Sequence, residues 1–277
     1  MTTEIKQIPQ LDTTEHSSSG KILDRVIQIT QPHRYPLYKA YWNIVRGVDN
    51  LVDEGSSYSR ANQILKEQRE LTTQTNINVS SSSGESLLSI LSQIPLPLQK
   101  SFLAHHLSLI DYFDIDLAHR LNLTPYTPQE MSRHIRGGFP ELFANLRIIL
   151  LDKDIPPNSK FNQLAFTHGQ IEPLGDIDED LERGLILHCR ENAAPWIDVL
   201  EPGQPVPEEE IDQYVKNHRS ALAKKLRKLS PTAIQGFGGL FGTLITLDYL
   251  KRSLYSVPNL KFQPKSPVIF ASQRLGP

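Results

Sequence analysis

The chain has 277 residues, of which 39% are hydrophobic and 22% charged, a composition that is typical of globular proteins and excludes the disordered and fibrous classes. Its formal charge of −2 comes from 31 acidic and 29 basic residues, so the overall balance gives no electrostatic reason to bind nucleic acid. Cys189 is the only cysteine, which excludes an intramolecular disulfide and a cysteine-rich zinc site. The first ten residues lack the apolar stretch of a secretory signal and no run of about 18 apolar residues occurs, so we expect a soluble, cytoplasmic protein.

The spacing of apolar residues predicts a helical protein. Residues 1–19 are polar and end in a serine-rich stretch, where we predict a mobile tail. Beyond it, apolar residues recur at three- and four-residue steps, and a short alternating stretch occurs only near the carboxyl terminus. This pattern predicts one all-α domain over residues 20–277. The predicted helices cover 36–54, 59–72, 87–94, 98–121, 127–151, 160–187, 193–200, 208–229 and 231–254.

Prolines and glycines mark where several of these helices begin or break. Thr127 followed by Pro128 is typical of a helix start, with the threonine as the cap and proline in the first helical position. The pair Gly137-Gly138 predicts an interruption of the same helix. Pro173 lies inside a later helical pattern and predicts a kink there.

Two of the predicted helices carry paired carboxylates. Asp49 and Asp53 are four residues apart, which places them on one helix face about 6 Å apart along the axis, and Asp176 and Asp180 repeat the spacing on a later helix. Like charges at this spacing destabilise a helix by a few tenths of a kcal/mol, so each pair needs a compensating partner. Arginine supplies part of that compensation and a divalent cation more.

Each acidic pair shares its helix face with an arginine. Arg46 precedes Asp49 by three residues, and Arg183 follows Asp180 by three. Magnesium in proteins is typically held by one or two carboxylates while substrate phosphates and waters complete its coordination. Two such pairs on facing helices therefore predict a site for metal ions and a diphosphate, in which the metals neutralise the charge of the departing diphosphate. The alternative for either pair alone is an ordinary solvated helix face.

Four segments of the chain resemble motifs of the squalene/phytoene synthase family. Residues 45–54, VRGVDNLVDE, resemble the first aspartate motif, and residues 176–184, DIDEDLERG, resemble the second. Residues 109–117, LIDYFDIDL, resemble the LIDGMxxDL segment, and residues 135–138, IRGG, stand where the family has its VAG turn. The order and spacing of the four segments and the chain length agree with the family over about residues 30–255, an extent that implies the class I isoprenoid synthase fold, a helical bundle around a central cavity.

The resemblance implies an enzyme that ionises an allylic prenyl diphosphate with Mg²⁺, or with Mn²⁺ in its place, and joins two such substrates head-to-head. It implies catalytic and metal-binding roles for Asp49, Asp53, Asp176 and Asp180, with Glu179 as a further metal ligand. The substrate-binding residues that we infer with it are Arg46, Arg183, Asp111, Asp116, Tyr41 and Gly137. For Asp111 and Asp116 a purely structural role is an equal alternative.

Several positions depart from the family motifs. Val45 and Asn50 differ in the first motif, and Glu172, Gly175 and Leu185 stand where the family has an asparagine and two arginines that help to hold a second diphosphate. These differences leave two alternatives open, cyclisation of a single polyprenyl diphosphate and a catalytically inactive relative that serves as a binding or assembly protein. Squalene synthases use NADPH without a dinucleotide fingerprint, so a need for NADPH stays open, as do substrate chain length and oligomeric state.

Three further features each have two interpretations. The pair His105-His106 lies in an apolar helix, and we predict that one of them is a packed, hydrogen-bonded histidine. The helix 208–229 begins with acidic residues and ends with basic ones, which suits the helix macrodipole or, alternatively, contact with an anionic membrane surface. The glycines of 236–242 either allow close helix packing or shape a prenyl tunnel.

Overall fold

A computed structural model describes residues 18–53, 58–73, 81–122, 126–156, 159–171, 208–238, 242–243 and 245–247. Within these ranges nearly every residue is helical and no strand occurs, which confirms the all-α prediction. In chain order the helices are α1 Ser18–Thr30, α2 Tyr35–Asp53, α3 Tyr58–Thr73, α4 Ser82–Gln93, α5 Leu96–Asn122, α6 Pro128–Gly137, α7 Phe139–Leu151, α8 Lys160–Ile171, α9 Glu208–Leu229 and α10 Thr232–Phe237.

Several predicted features lie outside the described residues. They include residues 1–17 of the predicted tail, the second aspartate motif at 176–184, the helix predicted over 193–200 and the stretch near the carboxyl terminus. The prediction of a tail up to residue 19 is wrong for Ser18 and Ser19, because they form the start of α1. The helix predicted over 160–187 is described as far as Ile171. The predictions for these segments stay predictions.

Local capping explains two of the helix starts. The Thr127 hydroxyl accepts from the Glu130 backbone N–H at 3.2 Å while the Glu130 carboxylate accepts from the Thr127 N–H at 2.9 Å, and Pro128 occupies the first turn, so the predicted start of α6 is confirmed. Helix α4 begins at Ser82, several residues before the predicted start at 87. Ser81 caps it, accepting from the Gly84 N–H at 3.0 Å, so the serines that precede the predicted start belong partly to the helix.

Glycines end two helices. The predicted interruption at Gly137-Gly138 is confirmed, since α6 ends there and α7 begins at Phe139. The single helix predicted over 231–254 is wrong, because α10 ends at Phe237 and the chain passes through Gly238 at a φ of 68°, a conformation that glycine adopts without steric cost.

The helices share one continuous apolar core that extends from Ile27 of α1 to Ile245. Helix α5 is the central element and packs against α2, α3, α6 and α7, and from Ser101 to Arg120 only two alanines of it are exposed. Helix α7 contacts both α2 and α8, and α8 in turn packs against α9 and α10. Of the helices described here, none is long and apolar enough to cross a bilayer.

Candidate functional site

The first aspartate motif lies on α2, a helix that the rest of the chain largely encloses. Between Leu37 and Val52 every residue is buried or half-buried. Ile44, Val48 and Val52 form the buried apolar side, each at most 2% exposed. The polar stripe that flanks this side therefore lies beside the core and is partly exposed, with the Arg46 side chain 40% and the Asp49 side chain 26% exposed.

Within the stripe, the predicted arginine and aspartate contact each other. The Arg46 guanidinium forms an ion pair with the Asp49 carboxylate, three residues along the helix, and both side chains are half-buried. One turn before Arg46, the Oδ1 atom of Asn43 is buried and accepts no hydrogen bond within the described structure. Asp53 is the last residue of α2, and its side chain lies outside the described part.

The donor chemistry of this stripe fits a hard divalent cation. Mg²⁺ in proteins is typically held by one or two carboxylates while phosphate and water oxygens complete its coordination, and Asp49 presents one such carboxylate. In the described residues no three His, Cys, Asp or Glu side chains come together as a metal site, so the remaining ligands of the predicted centre would come from Asp53 and from the second motif, Asp176, Glu179 and Asp180.

The two aspartates predicted on α5 have different environments. Asp111 lies on a half-exposed face, where Arg69 of α3 contacts its Oδ1 at 2.7 Å and also pairs with Asp114. Asp116 is only 6% exposed. The same helix therefore carries one solvent-facing ion pair and one buried carboxylate, five residues apart.

Asp116 is held by two partners in the core. Its Oδ2 accepts from Arg120 Nε at 3.1 Å and its Oδ1 accepts from the Tyr126 hydroxyl at 3.2 Å. Burial raises the pKa of the Asp116 carboxyl, and the Arg120 charge together with both hydrogen bonds opposes that effect. These contacts fit the structural alternative for Asp116, whereas its contact with substrate stays a prediction.

Gly137 lies at a close approach of α6 to α5. A Cβ atom at this position would be 2.7 Å from the Ser108 carbonyl oxygen and 3.1 Å from Tyr112 Cβ, so a larger residue would push the two helices apart. Gly236 has a similar role against α8, since a Cβ there would be 2.2 Å from the Phe161 ring. Close helix packing thus accounts for Gly236, and a role for Gly137 in substrate binding stays a prediction.

Tyr41 lies in the core, with no exposed surface. Its hydroxyl is 2.7 Å from the Asn145 amide oxygen and 3.3 Å from Nδ1 of His106, whose Nε2 is 3.1 Å from Gln68 Oε1. Burial lowers the pKa of His106 to about 4, so the ring is neutral. The predicted packed, hydrogen-bonded histidine is confirmed as His106, and Tyr41 contributes to the same buried network.

No family model, curated protein or solved structure matches this chain.

A second polar cluster, which sequence spacing did not predict, joins α5 to α7 and to the segment after α7. His105 pairs through Nδ1 with Glu141 and through Nε2 with Asp154 at 2.9 Å. Burial alone would lower the pKa of His105, but the hydrogen bonds and charges of the two carboxylates outweigh it and raise the pKa. Burial would raise the pKa of Asp154, yet its bonds to His105, Ser101 and a backbone N–H lower it.

We predict that this cluster makes stability depend on pH. Because the folded-state pKa of His105 is raised, its pairing contributes fully to stability below the unfolded pKa of 6.5. This contribution is lost as the pH rises through the folded pKa. Because the folded-state pKa of Asp154 is lowered, its pairing contributes to stability above the unfolded pKa of 3.8. This contribution is lost as the pH falls through the folded pKa. The stability difference between wild type and His105→Gln should therefore be largest between these two values, at about 1 kcal/mol.

Urea unfolding midpoints measured across the pH range test this, with His33→Gln at an exposed histidine as the control. A wild-type advantage over His105→Gln that grew steadily above pH 7 would contradict the assignment of His105 as the protonated partner.

His134 of α6 is a buried imidazole with an unusual lack of partners. Its ring lies 4.1 Å from the Tyr112 ring centroid and 4.9 Å from that of Tyr126, and neither of its nitrogens has a hydrogen-bond partner in the described structure. Burial, together with the charges of Arg120 and His119, lowers the pKa of His134 to about 3. A neutral ring with two unsatisfied nitrogens carries a desolvation cost of about 1–3 kcal/mol.

His134→Phe should therefore stabilise the protein by about 1 kcal/mol, because phenylalanine retains the stacking and removes the unsatisfied nitrogens. His106→Phe is the matched control at a buried histidine that does have partners, and it should destabilise by about 1–3 kcal/mol. Thermal melting of both variants gives the comparison. Destabilisation by His134→Phe would mean that the ring binds a polar partner such as a buried water.

Proposed function

We propose that the protein is a Mg²⁺-dependent enzyme that ionises an allylic prenyl diphosphate and joins two such substrates head-to-head. The observation that carries this proposal is the half-exposed Arg46–Asp49 pair on α2, because it places a cation and a carboxylate side by side next to an apolar helix face. A diphosphate ester of a hydrocarbon chain needs both surroundings at once, charged groups for its head and apolar ones for its tail.

The charged residues divide into two roles. Asp49 and Asp53, with Asp176, Asp180 and Glu179 of the second motif, would hold the magnesium ions, which stabilise the negative charge of the departing diphosphate. Arg46 and Arg183 would donate hydrogen bonds to diphosphate oxygens, a geometry that suits the planar guanidinium group. Binding of diphosphate by Arg46 would require it to share or exchange its present partner, Asp49.

The apolar residues govern the fate of the cation after ionisation. Loss of diphosphate leaves an allylic carbocation, which water would quench, so the reaction needs a dry environment more than it needs a nucleophilic side chain. On α2 the buried residues Ile44 and Val48 flank the polar stripe directly. Such surroundings let a second prenyl chain, rather than water, react with the cation.

Cyclisation of a single polyprenyl diphosphate is the second candidate. The observation that favours it is a difference in sequence. Glu172, Gly175 and Leu185 replace the asparagine and the two arginines that help the family to hold a second diphosphate. The two reactions differ in stoichiometry, since joining releases two diphosphates per product and doubles the carbon count, whereas cyclisation releases one and preserves it.

The test is incubation with farnesyl or geranylgeranyl diphosphate and MgCl₂, with and without NADPH, followed by solvent extraction, mass spectrometry and measurement of released diphosphate. We expect a hydrocarbon product with twice the carbon count of its substrate and no release in EDTA. A product of unchanged carbon count would replace joining by cyclisation. The absence of any release from either substrate would contradict both and favour the catalytically inactive relative.

A further inference from the structure

The carboxyl-terminal part of the described chain has an unequal distribution of charge. Residues 213–247 contain no aspartate or glutamate, although the whole chain has more acidic residues than basic ones. The same stretch contains six basic residues, Lys216, Arg219, Lys224, Lys225, Arg227 and Lys228. This stretch is therefore strongly basic while the rest of the chain is acidic.

In the structure, exposed basic residues occupy the open side of α9. Ala223, Leu226 and Leu229 are buried on the side of the helix that packs against α8. The opposite side, about half of the helix circumference, is exposed. Its exposed basic residues are Lys216, Lys224, Lys225, Arg227 and Lys228.

The basic surface continues from α9 to α6 across an aromatic ring. Lys225 Nζ of α9 lies 5.9 Å from the ring centroid of Phe166 on α8, and the Arg136 guanidinium of α6 lies 5.8 Å from the same centroid. Arg136 is exposed as well. Two helices that are about 90 residues apart in the chain thus bring their cations to one face, which the sequence alone did not indicate.

Two exposed aliphatic side chains lie beyond the carboxyl end of α9. Ile234 of α10 is 42% exposed and Leu247 is 54% exposed. A hydrogen bond of 2.9 Å from the Thr246 hydroxyl to the Ser230 carbonyl holds the chain near Leu247 against the end of α9. The two aliphatic residues are therefore close to the last basic turn of α9, Arg227 and Lys228.

We propose that this surface, formed by exposed cations of α9 and α6 and by Ile234 and Leu247, binds the anionic phospholipid surface of a membrane. A bilayer attracts clustered cations through its acidic headgroups and accepts aliphatic side chains just below them, and the surface offers both. A nucleic acid would be attracted by the cations but would leave the exposed isoleucine and leucine without a partner, since single strands are bound by aromatic stacking. The proposal does not depend on the proposed enzymatic activity.

The experiment is flotation of the purified full-length protein with phosphatidylcholine vesicles, with and without about a third phosphatidylglycerol, at low and high salt. We expect binding to the anionic vesicles only, weakening as salt screens the charges. Each cation near an anionic surface contributes about fivefold to the partition coefficient. The combined substitution Lys224→Gln, Lys225→Gln and Lys228→Gln should therefore reduce it about a hundredfold.

Two matched controls separate this surface from general effects. The combined substitution of Lys66, Lys100 and Lys153 by glutamine neutralises three exposed lysines elsewhere and should leave binding unchanged. Leu247→Ser should weaken binding, whereas Leu121→Ser, at a leucine with the same 54% exposure, should not. Circular dichroism checks that each variant is folded.

Three results would overturn the proposal. They are equal binding to neutral and anionic vesicles, equal losses in the two triple variants, and tighter binding to a DNA or RNA oligonucleotide than to the anionic vesicles at the same salt concentration. The last result would identify the surface as a nucleic-acid site instead.

Discussion

Asp49→Asn should lower magnesium-dependent release of diphosphate about a thousandfold, while the protein keeps its helical content and melting temperature. The carboxylate is a proposed metal ligand, and an uncharged amide binds a divalent cation far more weakly. The cost to the fold is small because the pair with Arg46 is half-exposed, and such pairs contribute about 0–1 kcal/mol. Asp53→Asn and Asp180→Asn should have the same effect.

The matched control is Asp114→Asn on α5. Asp114 is also a half-exposed aspartate paired with an arginine, Arg69, but it lies outside both aspartate motifs. Its substitution should leave turnover unchanged. If Asp49→Asn and Asp180→Asn both retained full activity, or if EDTA had no effect on wild-type turnover, the metal site would be assigned wrongly. Arg46→Gln should raise KM while leaving the melting temperature nearly unchanged.

The second large effect concerns stability. Asp116→Ala should destabilise the protein by about 3–5 kcal/mol, because it breaks a buried ion pair with Arg120 and removes the acceptor of the Tyr126 hydroxyl. Arg120 itself is 8% exposed, so water does not replace the lost partner. Asp111 lies on the same helix as Asp116 but forms a half-exposed ion pair with Arg69 of α3, so Asp111→Ala should cost about 0–1 kcal/mol.

Urea unfolding of the two variants measures this difference directly. Equal losses in Asp111→Ala and Asp116→Ala would contradict the contrast in burial that the structure assigns to them. The same variants separate the two interpretations of Asp111. If Asp111 binds substrate, Asp111→Ala should raise KM at nearly unchanged stability, whereas a purely structural Asp111 would leave KM as it is.

The amino-acid sequence by itself determined the helical class and most helix positions. Apolar residues at three- and four-residue steps define α2, α5 and α9, whose predicted bounds differ from the observed ones by about two residues at most. The start of α6 was also predicted, because the cap at Thr127 is a contact between residues three apart. The spacing of residues along the sequence predicts such features because both partners lie within one helical turn.

Helix spacing also placed Arg46 and Asp49 on one stripe, and their contact in the structure agrees with it. It misplaced the start of α4, where a serine cap extended the helix beyond its apolar residues, and it missed the break at Gly238. Both errors occur where polar or glycine residues, which carry no apolar period, decide the backbone conformation.

Tertiary structure decided which polar residues are buried and what they contact. His105 and His106 are neighbours in the sequence, yet one is a raised-pKa group between two carboxylates and the other a neutral ring in the core. Asp111 and Asp116 likewise differ in burial. Arg69 pairs with Asp111 and Asp154 pairs with His105, and each of these partners lies more than 40 residues away along the chain. The pKa of an ionisable group depends on its burial and on its distance from opposite charges. The packing of helices that are distant in the sequence sets both.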